Sequence, residues 1–203
     1  MSRLTLIVAA TKANGIGKNG GLPWRISKDM SYFAQATTNA PAEKQNAVIM
    51  GRTTWESIPK KFRPLRNRSN HVISRNAEYE LNGQAELHES LEAAMHSVAK
   101  SDKVHRVFII GGASIYKETL NLPRDSSSFV DRILLTRVTS PAFEDCDTFM
   151  PEFIPRSKGT AGDVHGWSRA SHAELQAWVG FDVPDSVQSE NGVDFEFQMW
   201  VRH

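Results

Sequence analysis

Residues 104–116, Val104-His105-Arg106-Val107-Phe108-Ile109-Ile110-Gly111-Gly112-Ala113-Ser114-Ile115-Tyr116, decide how the chain is read. Seven residues rich in Val, Ile and Phe have the length and composition of a strand buried on both faces, as parallel pairing requires. Paired glycines then let the backbone turn with no Cβ in the way, so a ligand can approach the main chain closely. The spacing predicts a helix over 113–120, whose first amides would face a pyrophosphate. A purely structural glycine turn accounts for the same residues, so this segment alone does not choose between scaffold and site.

Working outward, the same pattern recurs. Residues 4–10, 46–50, 70–74, 85–88, 131–138 and 194–201 read as strands, and 171–178 is expected to pair in the sheet as well. A first helix is predicted over 28–37, with Ser27 as N-cap and Met30, Phe33, Ala34 and Thr37 as its buried stripe. A short helix follows residue 51 and stops at Pro59, and Ser90 caps a helix with the apolar stripe Leu91, Ala94, Met95 and Val98. Residues 155–166, without periodicity, read as a surface excursion. About four helices among about eight strands imply a single α/β domain over 1–203: a central mixed, mostly parallel eight-stranded sheet with an antiparallel C-terminal edge.

Composition narrows the function. At 203 residues, 40% hydrophobic and 23% charged, the chain is long enough for a full-sized core. A net charge of +1 provides no global field for nucleic acid or membrane, so any anion site must be local. Cys146 is the sole cysteine, which excludes an intrachain disulfide and fits a reducing, cytoplasmic setting. The seven histidines never fall in a metal-binding spacing, and no metal site is expected. No apolar run approaches the roughly 20 residues of a membrane span.

The candidate chemistry lies between Gly15 and Phe33. Gly15-x-Gly17-x-x-Gly20 superficially matches a dinucleotide fingerprint, but Pro23 and Trp24 follow at once where a Rossmann unit would place a helix. A mobile loop closing over a ligand fits better. Beyond it Asp29 and Phe33 are four apart and share a helix face, flanked by Met30, so an acid and a phenyl ring are offered together to a flat polar heterocycle. Asp in a first turn is also favoured by the helix dipole alone. Residues 60–68 hold five cations in nine residues, usually a solvated loop, although Arg68, leading into a strand, is placed to grip a carboxylate. Ser74-Arg75 ends that strand with a hydroxyl and a guanidinium suited to a terminal phosphate.

Five motifs in order, Gly-Ile-Gly-x-x-Gly-x-Leu-Pro-Trp (15–24) with an acid five residues later, Val-Ile-Met-Gly-Arg-x-Thr-Trp-x-Ser-Ile-Pro (48–59), Arg-Pro-Leu-x-x-Arg (63–68), Ile-Gly-Gly-x-x-Ile-Tyr (110–116) and Asp-Thr-Phe-x-Pro (147–151), resemble the dihydrofolate reductase family. The resemblance implies hydride transfer from NADPH to 7,8-dihydrofolate by a cytoplasmic monomer, with antifolates such as methotrexate as ligands. It assigns Asp29 to the pterin edge, supported by Trp24 and Thr136. Ile7, Val8, Met30, Phe33, Ser57, Ile58, Leu65 and Ile110 would line the substrate slot, and Arg68 would hold the glutamate α-carboxylate. Ala9, Ile16, Gly20, Gly51, Arg52, Thr53, Thr54, Ser74, Arg75, Gly111, Gly112, Ala113, Ser114, Ile115, Tyr116 and Thr148 match cofactor-contacting positions, with Arg52 and Arg75 reading the 2′-phosphate. The Gly111-Gly112 bond would be cis.

Three departures qualify the match. The acid is Asp, as in bacterial members, where animal and many fungal members use Glu. Glu89 stands where several relatives carry a cation near the adenosine phosphate, which weakens discrimination between NADPH and NADH. Residues 155–192 exceed the length found in compact bacterial members. Two rival readings are a reductase of a ribosylated pyrimidine in riboflavin synthesis, on the same fold, and a non-catalytic folate- or RNA-binding module using the basic run.

Overall fold

A computed structural model describes residues 2–123, 126, 128–153 and 166–202. In chain order it contains β1 (Ser2–Thr11), β2 (Gly15–Gly17), α1 (Ser27–Thr38), β3 (Gln45–Gly51), α2 (Arg52–Ser57), β4 (Arg68–Ile73), β5 (Glu86–His88), α3 (Leu91–Ala99), β6 (Val104–Ile109) and α4 (Ala113–Leu120). There follow β7 (Ser128–Ser140), β8 (Thr148–Phe149), β9 (Trp167–Arg169), α5 (His172–Val179), β10 (Gln188–Glu190) and β11 (Val193–Arg202).

Eight strands form one path in the order β10-β11-β7-β1-β6-β3-β4-β5, and β9 adds a ninth alongside β11. From β7 to β5 every pairing is parallel, whereas β11 runs antiparallel to β7, β9 and β10. This is the predicted mixed sheet with its antiparallel C-terminal edge. Both faces are covered, which is why the central strands read as unbroken apolar runs. On one face Ile7, Val48, Met50, Phe108 and Leu134 pack with Tyr32 and Ala36 of α1, Leu175 and Val179 of α5, and Phe195 and Phe197. On the other, Leu4, Leu6, Val8, Ile49, Ile109 and Ile133 pack with Leu91, Ala94 and Val98 of α3 and with Ile115 and Tyr116 of α4.

Three expectations are corrected. α1 buries Asp29, Tyr32, Ala36 and Thr37, while Met30 and Ala34 are exposed. The helix has two clients, the sheet and an open cleft, and the apolar residues facing the cleft imitate a second buried stripe. Ser27 is not the cap: the N-cap is Ile26, and Glu190 of β10 accepts from the backbone N–H groups of Ser27 and Lys28 at 2.8 and 3.0 Å. Residues 171–178 are not a strand but lie in and just before α5. Ser171 accepts from the Glu174 N–H and the Glu174 carboxylate accepts from the Ser171 N–H, a capping box, and Gly180 at φ +79° ends the helix. These local signals make a helix of the segment. Most of the excursion expected over 155–166 lies outside the described residues.

The glycine loop is fastened by its far neighbour in sequence. β2 pairs antiparallel with β8, the Asp147 N–H donates to the Gly17 carbonyl at 3.0 Å, and the Met150 N–H donates to the Asn14 carbonyl at 2.8 Å. Lys18 pairs with Asp145, and Asp147 accepts from the Asn19 N–H at 2.7 Å. Gly15 sits so close to Cys146 that a Cβ there would lie 2.6 Å from Sγ and 2.7 Å from the Cys146 Cβ. Gly15→Ala is therefore expected to lower unfolding free energy by about 1–3 kcal/mol, measured by urea denaturation. Adding Cys146→Gly should recover most of that loss, and a failure to recover would show that this contact does not set the fit.

Candidate functional site

The C-terminal ends of β1, β3, β4 and β6, with α1, α2 and α4 around them, enclose a cleft of about 1760 Å³. A pocket for one drug-sized ligand holds roughly 300–1,000 Å³, so this cleft has room for two ligands side by side. Its position outside the carboxyl ends of a parallel sheet is where such folds leave space between diverging connections. Every residue singled out from the sequence lines it except Trp24.

One half of the cleft is an apolar slot with a charge at each end. Asp29, only 5% exposed, accepts a hydrogen bond from the Thr136 hydroxyl at 2.6 Å. Thr136 is placed by the β1–β7 register opposite Ala9, so the bond ties α1 to the middle of the sheet. Burial pushes the carboxyl up to about 6 from its ordinary 3.8; the Thr136 bond opposes this, and the charge of Glu190 adds to it. Trp24 is buried with its ring edge-on to Phe143 at 5.3 Å, and among the described residues its indole N–H has no acceptor. A buried donor left in this way needs a bridging partner.

At the other end Arg68 donates to the Thr37 hydroxyl at 2.7 Å and to the Arg66 carbonyl at 2.9 Å, and its guanidinium lies 5.9 Å from the centre of the Phe33 ring. Among the described residues no carboxylate pairs with it. Burial lowers its pKa, a sign of a cation held partly out of water. The Asn70 side chain accepts from the Leu65 N–H at 3.0 Å and donates to the Leu65 carbonyl at 2.9 Å, fixing the basic segment against the strand. Asp29 and Thr37 are eight residues apart on α1, a rise of roughly 12 Å. A ligand filling this half must be flat and polar at one end, apolar in the middle and anionic at the other.

The second half is built from backbone. The Gly111-Gly112 bond is cis and Gly111 has φ +128°; a Cβ at Gly111 would lie 3.1 Å from the Thr54 hydroxyl. The Gly51 N–H donates to the Gly111 carbonyl at 2.8 Å, which draws the starts of α2 and α4 together. Among the described residues neither helix has a side-chain cap, so both N-termini can offer amides to anions. Tyr116 closes the floor, its hydroxyl donating to the Ile7 carbonyl at 2.9 Å. Arg52, Ser74 and exposed Arg75 stand at the far end, together with Glu89. Glycine cradle, two open helix starts and a cationic end form a donor set that fits a nicotinamide dinucleotide.

Sequence reasoning missed several contributors. Leu22 and Phe62 are exposed apolar residues on the rim, and an apolar residue inside a polar loop was the available signal. Thr37 was placed in the core, yet its hydroxyl anchors Arg68. Glu190, more than 160 residues from the helix it caps, left no signal.

A family model described as dihydrofolate reductase matches residues 3–161. A dihydrofolate reductase of Cryptococcus neoformans is 41% identical over 98% of this chain and 94% of its own length, and one of Pneumocystis carinii is 38% identical over 98% and 96%. The solved structure of Schistosoma mansoni dihydrofolate reductase superposes with a TM-score of 0.75 at 35% identity, covering 100% of this chain and 99% of that one.

The raised pKa of Asp29 has a stability consequence. The folded chain keeps this proton where the unfolded chain has lost it, so the penalty is absent below about pH 4, grows as pH rises through about 6 and is constant above. The difference between 3.8 and about 6 amounts to roughly 3 kcal/mol. Asp29→Asn keeps an oxygen for Thr136 and carries no charge. It is expected to raise unfolding free energy by roughly 2–3 kcal/mol at neutral pH and by nothing near pH 4. Urea denaturation at both pH values measures this, and equal gains at the two would contradict it.

Proposed function

The chain belongs to the dihydrofolate reductase family, and we infer on that premise that its cleft reduces 7,8-dihydrofolate to 5,6,7,8-tetrahydrofolate with a hydride from NADPH. Family membership decides against the pyrimidine reductase and the non-catalytic binder. The observation that carries the reading is the buried, hydroxyl-bonded Asp29 at one end of an apolar slot with Arg68 at the other.

In this reading Asp29 holds the pterin by a ring nitrogen and the 2-amino group, a charge-assisted pairing that fixes the ring plane. Trp24 and Thr136 orient that acid. Met30, Phe33, Ile58 and Leu65 enclose the aminobenzoyl portion, and Arg68 takes the glutamate α-carboxylate with guanidinium donors not used by Thr37 and the Arg66 carbonyl. Methotrexate and similar antifolates offer the same edge and the same carboxylate. When bound, NADPH supplies the hydride; the chain holds it through the amides of α2 and α4 and the Gly111-Gly112 cradle, so that the two rings meet at near-attack distance. Product formation also needs a proton at N5. Asp29 cannot reach N5 while gripping the 2-amino edge, so water passing the loop at Gly15 to Gly20 delivers it, under the influence of an acid whose pKa lies close to working pH.

Preference for NADPH rests on Arg52, Ser74 and Arg75 as the phosphate-reading end, with Glu89 moderating it. One domain and a monomer fit the surface: of five exposed large apolar residues among those described, Leu22, Met30 and Phe62 line the cleft, leaving Phe149 and Val187 as isolated cases. Among the described residues no helix is long and apolar enough to cross a membrane. The single buried thiol, Cys146, suits the cytoplasm.

An absorbance assay of purified protein with dihydrofolate and each reduced nicotinamide cofactor tests the activity. Asp29→Asn is expected to lose turnover by about 10²–10⁴-fold at pH 7, recovering in part as the pH falls and substrate arrives protonated; wild-type-like turnover at pH 7 would refute the role. Arg75→Ala should weaken NADPH by about 10- to 100-fold and leave NADH nearly unchanged. Equal losses for both cofactors would remove Arg75 from the phosphate site.

A further inference from the structure

Three side chains outside the cleft converge at the outer edge of the sheet. His71 and Glu86 are register partners in the parallel β4–β5 pair, and His88 follows Glu86 by two residues, so all three leave one face of the sheet. His71 Nδ1 lies 3.0 Å from His88 Nε2, and Glu86 Oε2 lies 3.6 and 3.8 Å from those same two nitrogens. A point equidistant from three atoms so separated is about 2 Å from each, the length of a zinc bond to imidazole nitrogen or carboxylate oxygen.

A hydrogen-bond network explains this spacing less well. The two imidazoles can share one hydrogen bond, but the carboxylate oxygen is beyond hydrogen-bond reach of both while standing almost evenly between them. The groups behind the three ligands are arranged for coordination. His71 Nε2 lies 3.2 Å from the Ser69 hydroxyl; an Nε2–H donated there leaves Nδ1 bare. The Ser97 hydroxyl of α3 donates to the same Glu86 oxygen at 2.9 Å.

We propose that His71, Glu86 and His88 form a binding site for a borderline divalent cation, zinc foremost, with a fourth position open to water. Two imidazoles and one carboxylate are a donor set that suits zinc better than magnesium or calcium, which prefer oxygen alone. The side chains of His71 and His88 are 3% and 10% exposed, whereas that of Glu86 is 59% exposed, so the ion enters from the Glu86 side. The site joins a three-residue edge strand to its neighbour. It also adjoins the cofactor end of the cleft, because the Ser74 N–H donates to the His88 carbonyl at 2.9 Å. Sequence spacing gave no warning of it, since 15 residues and a loop separate His71 from Glu86.

The test uses the full, untagged chain freed of metal by a chelator. Titration with cobalt(II), followed by its visible absorption, and with zinc, followed calorimetrically, is expected to show one saturable site with the strong cobalt bands of a four-coordinate ion. Excess zinc should raise the unfolding midpoint, as ligand linkage requires. His88→Ala and Glu86→Gln, both at the sheet edge and checked for folding by circular dichroism, should each weaken binding by about tenfold or more. Absence of saturable binding to the wild type overturns the site. So does either folded variant binding as tightly as the wild type, which would place the ion on other histidines.

Discussion

Removing a carboxyl group from water, with one hydroxyl as its hydrogen-bonding companion, raises the free energy of its ionised form, and much of the cleft is arranged around that single bond between Asp29 and Thr136. The hydroxyl comes from the middle of β7, between β1 and β11, and the carboxyl from the first turn of α1, so the contact sets the helix against the sheet. Below it the helix is held by Tyr32 and Ala36; above it Met30 and Ala34 face open space. Glu190 caps the same helix from a distant strand, and its negative charge acts on Asp29 in the same direction as burial. Stability would be served by an uncharged side chain here. In the proposed reading the acid is retained because the pterin edge needs a negative partner.

The two halves of the cleft offer different means of recognition. The half proposed for folate is lined by side chains: an acid, a guanidinium and rings between them. The half proposed for the cofactor offers main chain at Gly51 and Gly111-Gly112, and among the described residues no side chain caps the starts of α2 and α4. Arg52, Ser74 and Arg75 stand at one end of this half, where the proposed reading has them select the phosphate. Side chains suit a substrate with a distinctive hydrogen-bonding edge, whereas amides suit phosphates, which present many equivalent oxygens.

How much of this was legible depends on whether the deciding force was local. The parallel strands were, because burial on both faces leaves an unbroken apolar run, and α4 was found at its observed boundaries because Gly111-Gly112 marks its start. The acid, the guanidinium and the glycine cradle were legible as motifs. Their convergence came from resemblance rather than from periodicity. The stripe on α1 was misread because apolar residues facing a ligand cleft look like core residues. Residues 171–178 were misread because the Ser171 and Glu174 capping pair was not weighed. Glu190 at the helix start and the grouping of His71, Glu86 and His88 depend on register between distant segments, and no local pattern encodes register.

The sheet's order also bears on how copies of the chain meet one another. Among the described residues its open rims are β5 and β10, and β9 lies against the end of β11; each of the three is only three residues long. A visiting strand finds at most a few unpaired amides and carbonyls on which to zip, too short a template for a stable intermolecular ladder. The long hydrophobic strands are kept in the interior of the array, so a crowded solution meets blunt borders.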